Sequence, residues 1–525
     1  MNDAVSNQAA ISIATALSLA MLLAVPLTLG LAALVLWRYQ ATLTRLMRIA
    51  PGPRQDTCPG EMASDGNGSN HRPLPAARLL RRRERTLWWG MAGLSGLIGL
   101  SSAALFLVGF SAQPSPMLLL LIGLWAAAPG WLLQLPLMRW SWRRSLPISA
   151  AAAGLLIIVL RLASLEGDAR QWSELTGFVA SQLLLPLPLI GLLFGIPRLR
   201  AVAPFLNLPV LLVVLLAVAG QVALLAQAEA PWLPALARQL GGPGVLLLAT
   251  LLPALLGVLL AHQLSRWLGH AYRKRQFSDL SWLYGSCWAW ILLLQVIPGW
   301  HSANLAGQPG LVALLPLLAW LWIPVAMALF SRAGRRPAAA ATLLVLRVFR
   351  RPGPMGRLFD HGVQRWRLLG PVLLISASDL AGRTVEPDQL VGFLEGRTRQ
   401  RYIAGSDDLE RQLAALPTEP DHDRRWRISE FCCYDTTWQM VLEALLARAD
   451  AVLMDLRGFT AANQGCLYEL NRLAASGHLS GVLILCDGHT DRDLAGRALE
   501  QARCPVHWLE GREVGAGALE RLLGD

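Results

Sequence analysis

"ADAVLMDLRGFTAANQGCLYEL" runs from Ala449 to Leu470 and decides how the last third of the chain is read. Apolar residues lead into Asp455, a loop of mostly small and polar residues follows Leu456 and Arg457, and a helical pattern then carries Glu469. A strand that ends in an acid before a short loop and a helix is one βα unit of a parallel sheet. The same alternation extends on both sides. "TLLVLRVF" (342–349), "GPVLLIS" (370–376), "WRISEFCCY" (426–434), "DAVLMDL" (450–456), "GVLILC" (481–486) and "CPVHWL" (504–509) read as strands. Helical patterns at 355–368, 386–400, 407–415, 437–448, 464–476, 491–503 and 515–523 lie between or after them. The expectation is a flavodoxin-like or Rossmann-like α/β module over 342–525, with a five- or six-stranded parallel sheet covered on both faces.

Before residue 333 the pattern is different. Of the 525 residues, 54% are hydrophobic and mean hydropathy is +0.42, with the apolar residues gathered in long blocks. Nine blocks, near 10–36, 87–110, 117–138, 147–165, 177–196, 202–227, 243–262, 281–298 and 310–330, are long enough to cross a ~30 Å hydrocarbon core. The first lacks a basic leader, carries Asp3 and is too long for a cleaved signal. The expected organisation is an α-helical transmembrane bundle over 1–332, a linker at 333–341 and the α/β module. A cytosolic loop at 50–78, rich in Pro, Gly, Ser and Asn, is expected to be disordered.

Charge orients the bundle. With the N-terminus outside, the inside loops 37–86, 139–146, 197–201 and 263–280 hold 19 Arg or Lys. The outside loops and adjoining span ends hold only Arg161, Arg170 and Arg238. Positive loops stay on the cytoplasmic side, so the expected location is the bacterial inner membrane, with the α/β module cytosolic. Residues 1–340 carry 25 basic and 10 acidic side chains, whereas 341–525 carry 22 and 25. The net charge of +12 therefore belongs to topology and to attraction for anionic membrane lipid, not to nucleic acid. Five of the seven cysteines fall in the α/β module without ligand spacing and read as reduced core thiols; no metal is expected.

No expected span holds a carboxylate, which argues against ion-coupled transport. Gln182, Asn207 and Gln221 are polar points that could serve an uncharged solute or simply hold helices together.

Ligands of such sheets bind beyond the carboxyl ends of the strands. Those ends are "SASD" (376–379), "CYDTT" (433–437), "DLRGFTAANQG" (455–465) and "CDGHTD" (486–491), which make Ser376, Asp455, Arg457, Gly458, Asn463 and Asp487 candidate ligand-binding residues. Asp435, Thr436 and Asp491 read as helix N-caps. The 455–465 loop leads into a helix N-terminus suited to phosphate. On that helix Cys466, Leu470 and Leu473 face the core, with Glu469 at the edge, able to point across the crevice.

"DAVLMDLRGFTAANQGCLYEL" resembles the segment of TIR domains and of nucleoside deoxyribosyltransferase-like proteins in which a strand, a polar loop and a Glu-Leu helix follow one another. "FCCYDTTWQMVLEALLARAD" (431–450) resembles the stretch that precedes it there, and the whole chain resembles uncharacterised bacterial multi-pass membrane proteins ending in such a module. The resemblance implies that Glu469 would serve N-glycosidic cleavage of NAD or another nucleotide. A carboxylate there would stabilise or trap the oxocarbenium ion formed on the sugar. No cofactor is required; NAD or a nucleotide would be substrate or ligand. The same module could instead be a non-enzymatic adaptor that binds a protein partner or forms a homo-oligomer. "ADAVLMDLRGF" also resembles the phospho-acceptor strand of receiver domains, with Asp455 as acceptor. Cys486 and Glu510 stand where that chemistry needs a hydroxyl and a Lys, and the first strand lacks the paired acids.

Overall fold

The computed structural model describes residues 2–48, 73–110, 116–138, 201–305, 310–332, 340–348, 362–376, 385–510 and 518–523, with isolated positions between 147 and 199. The helices of the first half are α1 (Asn2–Met47), α2 (Ala77–Phe110), α3 (Pro116–Met138), α4 (Ala203–Ala226), α5 (Leu233–Arg273) and α6 (Asp279–Leu305). A 3-10 segment, Gly310–Leu321, then leads into α7 (Trp322–Arg332). Among the described residues six helices are long and apolar enough to cross a membrane. The span expected at 117–138 is helix α3. Those expected at 147–165 and 177–196 lie almost wholly outside the described residues, as do the linker at 333–339 and most of the 50–78 loop.

The second half contains β1 (Leu343–Arg347), β2 (Val372–Ile375), α8 (Pro387–Leu394), β3 (Tyr402–Ile403), α9 (Ser406–Ala414), β4 (Ile428–Cys433) and α10 (Trp438–Leu446). It continues with β5 (Ala451–Asp455), α11 (Gln464–Ala475), β6 (Gly481–Cys486), α12 (Arg492–Ala498), β7 (Val506–Glu510) and α13 (Ala518–Leu523). All strand pairs are parallel, and the sheet order is β3-β4-β2-β1-β5-β6-β7. Among the described residues the sheet has seven strands, against the five or six expected. The addition is β3, whose two residues are too short to leave a periodic signal. The chain reverses its direction across the sheet between β1 and β5, so the switch point lies at the carboxyl ends of those two strands.

By Cα proximity the chain forms two compact units. The first comprises Met1–Val35, Trp88–Leu329 and Glu386–Val391; the second comprises Leu36–Leu87, Phe330–Val385 and Gly392–Asp525. In the first, Gly220 and Gly257 let α4 and α5 approach closely, since a Cβ on Gly257 would lie 2.8 Å from the Cα of Val213. Gln221 donates to Thr250 Oγ1 across the same pair at 3.0 Å. Ser95, Gln134 and Tyr284 form a buried polar knot, with Ser95 Oγ 2.7 Å from Tyr284 Oη and Gln134 Nε2 donating to Ser95 at 3.2 Å. Asn207 is fully buried, and neither its side-chain N nor its O has a hydrogen-bond partner among the described residues.

The second unit buries both faces of its sheet. One face packs Leu344, Leu346, Val452 and Ile484 against Val441 and Leu445 of α10 and Cys466, Leu470 and Leu473 of α11. The other packs Leu343, Val345, Leu453 and Leu483 against Val363, Trp366, Leu519 and Leu522, joined by Ala77 and Leu80 from the first turns of α2. Full burial of one such Leu contributes about 2 kcal/mol. Arg365, only 3% exposed, carries a double ion pair: Nε to Glu84 of α2 at 2.7 Å and Nη2 to Glu520 of α13 at 2.7 Å. The end of α1 lies against the β3 edge, where Leu43 O accepts from Tyr402 Oη at 3.0 Å and Met47 O accepts from the Asp435 amide at 3.2 Å. A helix there covers an edge that would otherwise be open to strand pairing.

Gly370 marks the tightest approach in this unit, since a Cβ there would run into the carbonyl oxygen of Ala341. Gly370→Ala is expected to cost about 3 kcal/mol, read as a lowered unfolding midpoint of the full chain. An unchanged midpoint would show that the Ala341 backbone yields freely.

Candidate functional site

The strand β5 is apolar on both faces because both are covered, and its last residue arrives at the switch point. There Asp455 stands in register beside Arg347, the last residue of β1. Asp455 is buried. Its Oδ1 accepts from Arg457 Nε at 2.7 Å and from the Arg457 amide at 3.2 Å, while Oδ2 accepts from Arg457 Nη2 at 2.6 Å. This fork-to-fork pairing fixes both side chains. Hydrogen bonding to Asp455 also lifts the Arg457 guanidinium above its ordinary value. Asp455 thus reaches the strand end as expected, and it arrives already clamped.

The loop after it closes on itself. Gly458 adopts φ +72°, a left-handed conformation that glycine takes at little cost. Its amide donates to Asp487 Oδ1 at 2.9 Å. The same oxygen accepts from the His489 amide at 3.0 Å and lies 3.0 Å from Thr490 Oγ1. The Phe459 amide donates to Leu456 O at 2.9 Å, the Thr460 amide to Asn463 Oδ1 at 2.9 Å, and the Asn463 amide to Thr460 O at 2.9 Å. Asn463 holds the N-cap position of α11, yet its side chain serves Thr460 instead of the helix. Five amides of the stretch, at 457–460 and 463, are therefore spent inside the protein. A phosphate cradle needs such amides free.

Glu469 lies on α11 with Cys466, Leu470 and Leu473, all buried against the sheet. The expected position is the helix edge, facing the crevice; the carboxylate is instead 1% exposed, and Oε2 has no hydrogen-bond partner among the described residues. The helix packs so closely on the sheet that position 469 falls inside its apolar face. Burial pushes the Glu469 carboxyl up to about 8, opposed by the nearby positive charge of Arg347. Arg347 is the residue that sequence reasoning missed. It reads as an ordinary strand residue, and only the β1–β5 register brings it to the switch point.

The remaining candidates are dispersed. Ser376 follows β2 directly, is buried, and donates its amide to Phe431 O at 2.8 Å. Residues 377–384 of that loop lie outside the described residues. Asp435 and Thr436 are exposed and do not cap α10. The cap position belongs to Thr437, whose Oγ1 accepts from the Tyr434 amide at 3.1 Å and donates to Ile403 O at 2.8 Å. The turn closes one residue later than the sequence suggests. Asp491 does cap α12, accepting from the Leu494 amide at 3.0 Å.

The thiols of the module are buried. Desolvation pushes Cys432 up to about 11 and Cys433 up to about 12, so both stay protonated and unreactive near neutral pH. Among the described residues no group of three or more His, Cys, Asp or Glu could hold a metal ion. No protein-family model, curated protein or solved structure matches the chain.

Proposed function

We propose that the chain is a multi-span inner-membrane protein whose cytosolic, TIR-like α/β unit signals through contacts with a protein partner or a second copy of itself. One observation carries this reading: the acid that would act on a nucleotide is 1% exposed behind its own helix. The clamped Asp455–Arg457 pair and the self-satisfied 457–463 loop support it, because they hold loops in place and leave few groups for a small ligand.

N-glycosidic cleavage of NAD or another nucleotide is the second reading. The unpartnered Oε2 of Glu469 favours it, since a buried carboxyl without a hydrogen bond is a costly feature for structure alone. Transport of an uncharged solute rests on the orphaned amide of Asn207. Base release from NAD and a nucleoside panel, measured on the full chain in lipid nanodiscs, separates the first two. Wild type and Glu469→Gln are expected to show the same background. Release by the wild type that the variant lacks would replace the adaptor reading with the enzymatic one.

A further inference from the structure

The first turns of α2 divide into two faces. Ala77 and Leu80 are buried in the sheet core, Glu84 pairs with Arg365, and Arg83 donates to Leu368 O. On the opposite side Arg78, Arg81, Arg82 and Arg85 are all exposed, and no described residue accepts a hydrogen bond or ion pair from their guanidiniums. At 3.6 residues per turn these four fall within about 100° of the helix circumference. Trp89, 67% exposed, continues the same face one turn later.

This arrangement is unfavourable for the helix alone. Like charges spaced three and four residues apart repel one another. Cations in the first turns oppose the positive end of the helix dipole, and α2 has no acidic residue in its first turn. Topology requires positive charge near a span but does not require it on a single stripe. An anion on the stripe would relieve both costs.

Helix geometry also says what kind of anion. The uncharged run from Trp88 to Phe110 is long enough to fill a ~30 Å hydrocarbon core. An exposed Trp at the start of such a run belongs at headgroup level. With a rise of 1.5 Å per residue, Arg85 stands about 6 Å from Trp89 along the axis, Arg82 about 10 Å and Arg78 about 16 Å. Arg85 and Arg82 thus lie within about one screening length of the headgroup layer, with Arg81 and Arg78 just beyond it.

We infer that Arg78, Arg81, Arg82 and Arg85, with Trp89, form a site for the phosphate headgroups of anionic phospholipid. Guanidiniums bind phosphate oxygens in pairs, and the indole seats the site at the boundary. The sheet takes the other face of α2, so a bound lipid would report on the same helix turns that complete the α/β unit.

The test uses the full chain in neutral detergent, titrated with phosphatidylglycerol or phosphatidylcholine and read by native mass spectrometry. The wild type is expected to bind phosphatidylglycerol about 600-fold more tightly, with the preference shrinking as salt rises. Each arginine near an anionic surface contributes about fivefold, so R81Q/R82Q should lose roughly 25-fold and the quadruple glutamine variant all preference. The quadruple lysine variant, which preserves charge and insertion, should stay within about threefold of wild type and shows that the loss is not misfolding. Equal binding of the two lipids by wild type, or an undiminished preference in the quadruple glutamine variant, overturns the site. Displacement of phosphatidylglycerol by equimolar oligonucleotide or acidic peptide would assign the stripe to that partner instead.

Discussion

Glu469→Gln is expected to flatten the pH dependence of stability between about pH 4.5 and 8 and to leave the protein more stable at the alkaline end. In the unfolded chain this carboxyl titrates near 4.5, and in the folded protein burial holds it up to about 8. Between those values the unfolded state has released a proton that the folded state retains. Stability is therefore fully present below pH 4.5 and is lost as pH rises through about 8. A shift of this size amounts to about 3–5 kcal/mol, a large part of the total stability of a typical domain. Glutamine keeps nearly the same shape and cannot ionise. Its unfolding midpoint should match wild type near pH 4.5 and exceed it at pH 8.5. Parallel curves for the two proteins across that range would mean that Glu469 is not held neutral by the fold.

A fragment spanning 340–525 should fail to form a stable soluble unit, and extending it to carry the first turns of α2 should restore folding. Without Ala77 and Leu80 one sheet face is uncovered around Val363, Trp366 and Leu522. Without Glu84 the buried Arg365 loses one of the two carboxylates that pair with it. Lost apolar burial and a half-broken buried ion pair together cost on the order of 5 kcal/mol, comparable to the whole stability of a small domain. Dye binding to exposed apolar surface and a broadened unfolding transition would show the defect. In the full chain Leu80→Asp should reproduce it, because it places an unpaired charge in the same core. A cooperative, dye-negative 340–525 fragment would show that the sheet closes without α2.

The βα alternation of the second half was legible because strands covered on both faces are continuously apolar, as in "GVLILC". The expected helices at 407–415, 437–448 and 464–476 match α9, α10 and α11 closely for the same reason: one apolar stripe each. The two-residue β3 had no such signal. The site was half legible. Asp455 could be placed at a strand end by counting, whereas the sequence marks Gly458 only as a small residue of a ligand loop, and its left-handed conformation comes from the structure. That Asp455 would be consumed by Arg457, two residues away, depends on the direction of both side chains after the strand ends. The depth of Glu469 depends on how closely α11 lies against β1 and β5.

Long apolar blocks, alternating charge and short buried strands are local properties, and from them the chain alone indicates helices long and apolar enough to cross a membrane followed by a parallel α/β unit. Sheet order is not local. The β1–β5 register that sets Arg347 beside Asp455, and the use of α2's first turns to cover a sheet face, join residues far apart in sequence. Only closing the core decides them, because burying both faces of the sheet draws in any apolar surface within reach, including helix turns that the sequence presents as a loop before a membrane span.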